Sequence, residues 1–241
     1  MTGYEQKILE ELRIWQLQMQ RPPTLVNRLA TRMQHKINSL IPERVHRVIT
    51  ATIKQMIRGV LFGAGLITRK NDLPDSLYLQ EAQVLTRIEF YKKAGAAEGG
   101  ITGAGGILLG LADFPLLLSL KLKMLFEIAT LYGYRMEDYR ERVYLLHIFQ
   151  LAFSSQQQRR LVYHQMVNWE TRKQHLPADI HQFDWRTFQQ EYRDYIDLAK
   201  MAQLIPVIGA PVGAVVNYRL LDKLGKTAMN AYRLRWLEKQ G

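Results

Sequence analysis

The 241-residue chain contains no cysteine. That excludes disulfides, thiolate metal centres and a thiol nucleophile. The signatures of common catalysis are also absent. There is no Gly-x-Ser-x-Gly nucleophile turn. The six histidines (His35, His46, His147, His164, His175, His181) form no His-Glu-x-x-His and no ligand spacing with a carboxylate on one helix face. Gly225-Lys226-Thr227 ends like a phosphate-binding loop, but Leu220 stands where the first glycine is needed. Gly103-Ala104-Gly105 starts like a dinucleotide fingerprint, but Leu108 occupies the last glycine position. No metal and no cofactor are expected. Period-2 alternation is missing, which excludes an ordinary sheet protein.

Uninterrupted apolar runs are scarce too. Residues 99–120 match the roughly 20 residues that a bilayer crossing needs, but Asp113 and Pro115 interrupt them. Residues 201–218 are uncharged but short, and Pro206 and Pro211 break them. Re-entrant or interfacial hairpins fit these stretches better than full spans. Residues 1–20 are mixed and charged, without the pattern of a secretion signal, so a cytoplasmic protein is expected.

What is present is apolar helical periodicity. The expected class is all-α, a multi-helix bundle with glycine-rich helical hairpin segments. Ile8, Leu12, Trp15 and Met19 give a stripe over residues 4–20, stopped by Pro22 and Pro23. Thr24 is placed to cap a helix with Leu25, Leu29, Met33, Ile37 and Leu40 on one face. Pro42 opens a third, whose apolar side includes Val45, Ile49, Ile53, Met56 and Val60. A polar proline-bearing linker at 68–75 divides a basic N-terminal region (1–67) from a helical domain (68–241).

Beyond the linker, Asp75 or Ser76 caps a helix over 77–94, with Leu77, Val84, Leu85 and Ile88 inside. Asp113 is placed to cap the next, with Pro115 in its first turn and Gly133 as its stop. Helices follow over 137–153, with Val143, Leu146, Phe149 and Ala152 inward, and over 155–176. A loop leads to Asp184, which caps another. A last helix pair is divided at Gly225 and ends in a basic tail (Arg233, Arg235, Lys239).

Glycine and positive charge are the two excesses. Gly99, Gly103, Gly106 and Gly110 fall on one narrow helical face, and Gly95 extends it backwards. With Gly100 and Gly105, the six glycines at 99–110 cost on the order of 6 kcal/mol of helix stability. Gly59 and Gly63, then Gly209 and Gly213, repeat the i, i+4 spacing. Such glycine-zipper segments let helix backbones touch. Packing within a bundle and insertion against a bilayer both stay open.

The net charge is +11. Between Arg21 and Arg58 lie eight cations (Arg21, Arg28, Arg32, Lys36, Arg44, Arg47, Lys54, Arg58) against one anion, Glu43. Basic amphipathic helices of this kind lie on anionic membranes, and ordinary solvated helix faces look the same. No nucleic-acid-binding motif accompanies them, so no nucleic-acid partner is expected. Lys121 sits among Leu117, Leu118, Met124 and Leu125. It either snorkels to an edge or meets an anion, and it joins the eight as a candidate lipid contact. Asp113 is either a cap or a buried functional charge.

The passage GGITGAGGILLGLADFPLLLSLKLKMLFEIATLYGY, followed downstream by LIPVIGAPVGAVVNYRLLDKLGKTAMNAYRLRWL, resembles the EcsC protein family over roughly residues 60–240. The resemblance implies a bacterial intracellular protein at or near the membrane. The family's association with genes for an ABC transporter implies transporter components as partners. It implies no reaction. The expectation is a peripheral, non-enzymatic protein on the inner membrane face that binds anionic lipid. The alternatives are a carrier of lipid or another hydrophobic ligand, and an enzyme on a hydrophobic substrate with Lys121 or Asp113 in its pocket.

Overall fold

The structure is a computed structural model that describes residues 2–22, 43–62, 74, 76–104, 106–195 and 210–240. Its helices are α1 (Gly3–Gln20), α2 (Glu43–Phe62), α3 (Leu77–Ala104), α4 (Gly106–Leu131), α5 (Tyr139–Phe153), α6 (Gln156–Met166), α7 (Trp169–Arg172), α8 (Trp185–Tyr195) and α9 (Ala210–Glu238). Among the described residues there is no strand, so the protein is all-α. The helix expected over 24–40 lies outside the described residues.

Three long helices make the frame. At 1.5 Å per residue, α3, α4 and α9 are each roughly 40 Å long. α3 and α4 form an antiparallel hairpin, because Arg87 meets Glu127 and Gly95 meets Leu120. α3 ends at Ala104 and α4 starts at Gly106, both inside the glycine stretch. α9 runs antiparallel to α3, pairing Glu81 with Arg233, Gly95 with Leu221 and Gly99 with Gly213. α4 and α9 are therefore parallel, and Tyr132 stacks on Tyr232 at 5.2 Å.

α5 fills the centre. Thirteen of its fifteen residues are buried, far more than the four that its periodicity marks as inward. α1 and α2 contribute Leu12, Trp15, Ile49, Ile53 and Val60 to the same core as α5 and α9. The core thus draws on residues from both sides of position 67.

Several local signals act as physics dictates. Thr2 and Glu5 form a reciprocal cap on α1. Asp138 accepts from the Arg140 amide and starts α5. Gly133, at φ 84°, ends α4 with Tyr134 N–H returning to the Ala129 carbonyl. Asp184 accepts from the Thr187 amide at the start of α8.

Other expectations are corrected. α4 begins at Gly106, so Asp113 lies within it rather than at its start, and Pro115 sits in the helix interior. α9 runs unbroken through Gly225, because a Cβ there would meet Ile88 at 2.8 Å. The glycine is small for packing, not for a turn. The helix expected over 155–176 breaks at Asn168, which adopts a left-handed conformation at φ 55°. Leu85 is 52% exposed rather than inside.

Two of the three cations of the basic tail lie inside the protein. Arg233 and Arg235 are buried. Arg235 pairs with Glu141 and Glu170, and its guanidinium lies 3.7 Å from the Tyr134 ring centroid and 4.7 Å from that of Tyr144. Arg233 donates to Glu81 at 2.7 and 2.6 Å. Glu81 also accepts from Tyr4 at 2.7 Å and Tyr132 at 2.9 Å. One buried carboxylate thereby ties α1, α3, α4 and α9 together.

His147 on α5 is a buried core histidine. Burial pushes its pKa down to about 4, against a raising bond from Gln150. The unfolded chain takes up this proton near pH 6.5 and the folded chain does not, so stability falls as pH drops through that window. About 2 kcal/mol is expected to be lost between pH 7 and pH 5. Urea titrations of wild type and His147→Gln at both pH values check this: the loss in that interval should vanish in the variant.

Candidate functional site

The cationic residues of α2 divide from its apolar residues cleanly. Ile49, Ile53, Met56, Ile57, Val60 and Leu61 point into the core, none more than 6% exposed. Their apolar area is already used by protein. α2 therefore has no greasy face left to lay into a bilayer. Arg47, Lys54 and Arg58 are exposed on its other side. Spaced seven and four apart, they share one face.

α8 packs beside α2 and adds to that face. The Arg58 guanidinium lies 5.9 Å from the Trp185 ring centroid, and that of Arg186 lies 5.7 Å from it. Thr50, Ile53, Lys54, Trp185, Arg186 and Gln189 line a groove of about 480 Å3. Among the described residues, Lys54 and Arg58 form no ion pair with a carboxylate, while the Thr187 hydrogen bonds and, after them, the Arg186 charge hold the exposed Asp184 carboxyl below its usual range. Such a groove can take an anionic group against Lys54 and Arg186, with an indole at its wall and Arg58 on the indole's ring. At the end of α2, Phe62 is 41% exposed.

The remaining candidates fall elsewhere. Arg21 is exposed just past α1. Arg44 is in the first turn of α2. Arg28, Arg32 and Lys36 lie outside the described residues. Trp185 and Arg186 were not singled out by sequence, although an aromatic-cation pair directly after a capping Asp184 was a signal in plain view.

Lys121 does not snorkel. It is fully buried, and its ammonium donates to the Leu117 carbonyl at 3.2 Å and to Asn217 Oδ1 at 3.3 Å. Burial brings its pKa down to about 8, and Glu98 works against that. A lipid contact at Lys121 is thus not available in this conformation.

The glycines explain how Asn217 reaches Lys121. A Cβ at Gly99 would lie 2.5 Å from Asn217 Nδ2 and 2.7 Å from the Gly213 carbonyl oxygen. With only hydrogen there, α9 settles against α3 and Asn217 bridges to α4. Gly103 is near the end of α3, whereas Gly106 and Gly110 are on α4, so the four glycines do not form one stripe on one helix. Gly209 and the side chain of Asp113 lie outside the description.

Among the described residues, no group of histidine and carboxylate side chains could hold a metal ion. No helix among them is long and apolar enough to cross a membrane.

Comparison with known proteins bears on the same residues. The chain is 44% identical over 235 residues to Protein EcsC of Bacillus subtilis (strain 168), covering 97% of this chain and 96% of that one. It is 30% identical over 142 residues to the uncharacterized protein YdbA of the same organism, covering 59% of this chain and 52% of that one. No solved structure matches. The model of the EcsC protein family matches residues 6–237, reaching much further towards the N-terminus than the 60–240 stretch that carries the resemblance. With both passages and the helices before them included in that match, the chain belongs to the EcsC protein family.

Proposed function

We propose that this protein binds anionic lipid surfaces peripherally, without catalysis, through the face built by α2 and α8. One observation carries the reading. Arg58 and Arg186 flank Trp185 and Lys54 lines the groove beside it; Lys54 and Arg58 have no carboxylate partner among the described residues, and Arg186 faces only the exposed Asp184. Each cation near an anionic surface contributes about 1 kcal/mol. Three of them, with the net charge of +11 behind them, suffice for reversible docking at moderate salt. Trp185 and the exposed Phe62 suit the headgroup region, where amphipathic and aromatic rings settle.

In this reading the apolar side of α2 is core, and attraction is electrostatic. The inner membrane face is the corresponding location, and a membrane transporter component is a compatible partner. The test is co-sedimentation with phosphatidylcholine vesicles, and with vesicles containing about 30% phosphatidylserine, at low salt and after a high-salt wash. Binding to the anionic vesicles alone, released by salt, is the expected outcome. Binding that survives the wash would mean that apolar segments enter the bilayer. No binding at low salt would sink the proposal.

A further inference from the structure

A second cavity lies away from the α2–α8 groove. It measures about 580 Å3, within the range that suits a small organic ligand, and sits between α5, α6, α7 and α8. The helix break at Asn168 borders it. The left-handed Asn168, with its amide held by Glu238 Oε1 at 2.7 Å, turns Trp169 inward until it is only 3% exposed. Trp169, Phe183, Phe188 and Tyr192 supply flat apolar walls.

Three polar groups in these walls have no partner among the described residues. The first is the Trp169 indole N–H, which has no acceptor. The second is Gln165 Oε1, which has no donor. The third is one nitrogen of His147, and its role can be derived. Gln150 donates through its amide nitrogen to the Tyr192 carbonyl at 3.3 Å, which turns its Oε1 towards His147 Nδ1 at 3.2 Å. A carbonyl oxygen only accepts, so Nδ1 carries the proton. Nε2 is then a bare lone pair. The His147 ring is fixed by edge contacts with Trp169 at 5.9 Å and Phe188 at 5.5 Å.

An unpaired buried donor or acceptor costs about 1–3 kcal/mol. Two unpaired atoms and a bare imidazole nitrogen, all on residues that line one aromatic cavity, are the counterpart of a ligand edge. That edge must offer one acceptor to Trp169 and donors to His147 and Gln165. No buried ion lines the cavity, and its exposed charged residues, Arg172 and Glu191, have opposite signs. The ligand is therefore neutral.

We propose that this cavity is a small-molecule site for a flat, neutral ring that bears an acceptor beside an NH2 group, as in a primary carboxamide or an amino-substituted heterocycle. The class follows from the donor and acceptor count and the aromatic walls.

The experiment follows the Trp169 indole resonance of the isotope-labelled full chain. Benzamide and 2-aminopyrimidine are titrated beside N,N-dimethylbenzamide, which keeps the ring and acceptor but has no donors, and benzoate, which is an anion. Saturable shifts with the first two are expected, weaker by at least about tenfold with the dimethyl compound, and none with benzoate. Gln165→Leu should bind benzamide more weakly yet melt no lower than wild type, because it removes an unpaired acceptor. That variant keeps the test valid should His147→Ala fail to fold. No shift with any probe would mean a water-filled void, and equal shifts with all four would mean unspecific apolar partitioning. Either result overturns the assignment, as does unchanged benzamide affinity in Gln165→Leu.

Discussion

Glu81→Ala is expected to lower the free energy of unfolding by about 3–5 kcal/mol, the range for removing one partner of a buried ion pair. Glu81 is completely buried and accepts four hydrogen bonds, two from Arg233 and one each from Tyr4 and Tyr132. Without it, both hydroxyls lose their acceptor. Arg233 keeps only Glu11 at 3.0 Å and Asn230 at 3.4 Å, and Glu11 is nearly half exposed. The effect belongs near the top of the range because three helices lose their common anchor on α3. Removing an exposed pair makes a sharp contrast. Lys7→Ala breaks a 3.9 Å contact with Glu11 at the surface and should change stability by less than about 0.5 kcal/mol. Urea unfolding followed by circular dichroism separates the two. A loss below about 1 kcal/mol for Glu81→Ala would mean that the network is not the tie described here.

Gly99→Ala is expected to cost about 2–3 kcal/mol, at the upper end of what overpacking one methyl incurs. The added carbon would meet backbone, the Gly213 carbonyl oxygen at 2.7 Å, which cannot rotate away. It would also push Asn217, and with it an acceptor of the buried Lys121 ammonium. Gly95→Ala should cost less, because its nearest obstacle is the tip of the Leu221 side chain. Gly59→Ala should do the opposite. Nothing lies within 4 Å of a Cβ there, so the substitution gains helix propensity of roughly 0.5–1 kcal/mol. The ordering of the three midpoints in thermal melts is the readout. Equal effects at Gly99 and Gly95 would contradict a backbone crossing at Gly99.

These two sites show how far the sequence could be read. The spacing of Gly99 and Gly213 advertised close approach, and both stand at the α3–α9 crossing. The periodicity of α1 and of the apolar side of α2 named residues that are buried. What periodicity could not display is which helices meet. Arg233 and Arg235 look like a basic tail because their carboxylate partners, Glu81, Glu141 and Glu170, are 65 to 152 positions away in sequence. Lys121 looks like a snorkelling lysine because its acceptor, Asn217, is 96 positions away.

Local rules misled where packing overrode them. Pro115 and Gly225 both normally interrupt helices, yet α4 and α9 continue through them, Gly225 being needed for its size against Ile88. Asn168, inside an otherwise helical pattern, is where the chain does break. The cationic face was only half legible. Arg47, Lys54 and Arg58 stood out on α2, but Trp185 and Arg186 join them only through the packing of α8.

The proposed docking face rests on where charge lies, not merely on how much there is. The most direct test compares two double variants with the same change in net charge. Lys54→Glu with Arg58→Glu reverses two cations of the α2–α8 face. Arg13→Glu with Arg135→Glu reverses two exposed cations elsewhere. Affinity for phosphatidylserine-containing vesicles is measured for both at low salt, with circular dichroism to verify folding. The groove variant is expected to lose binding by tenfold or more, since reversing two cations removes at least ~2 kcal/mol, while the control stays within about threefold of wild type. Equal losses in the two variants would reduce the face to unspecific net charge and contradict the account.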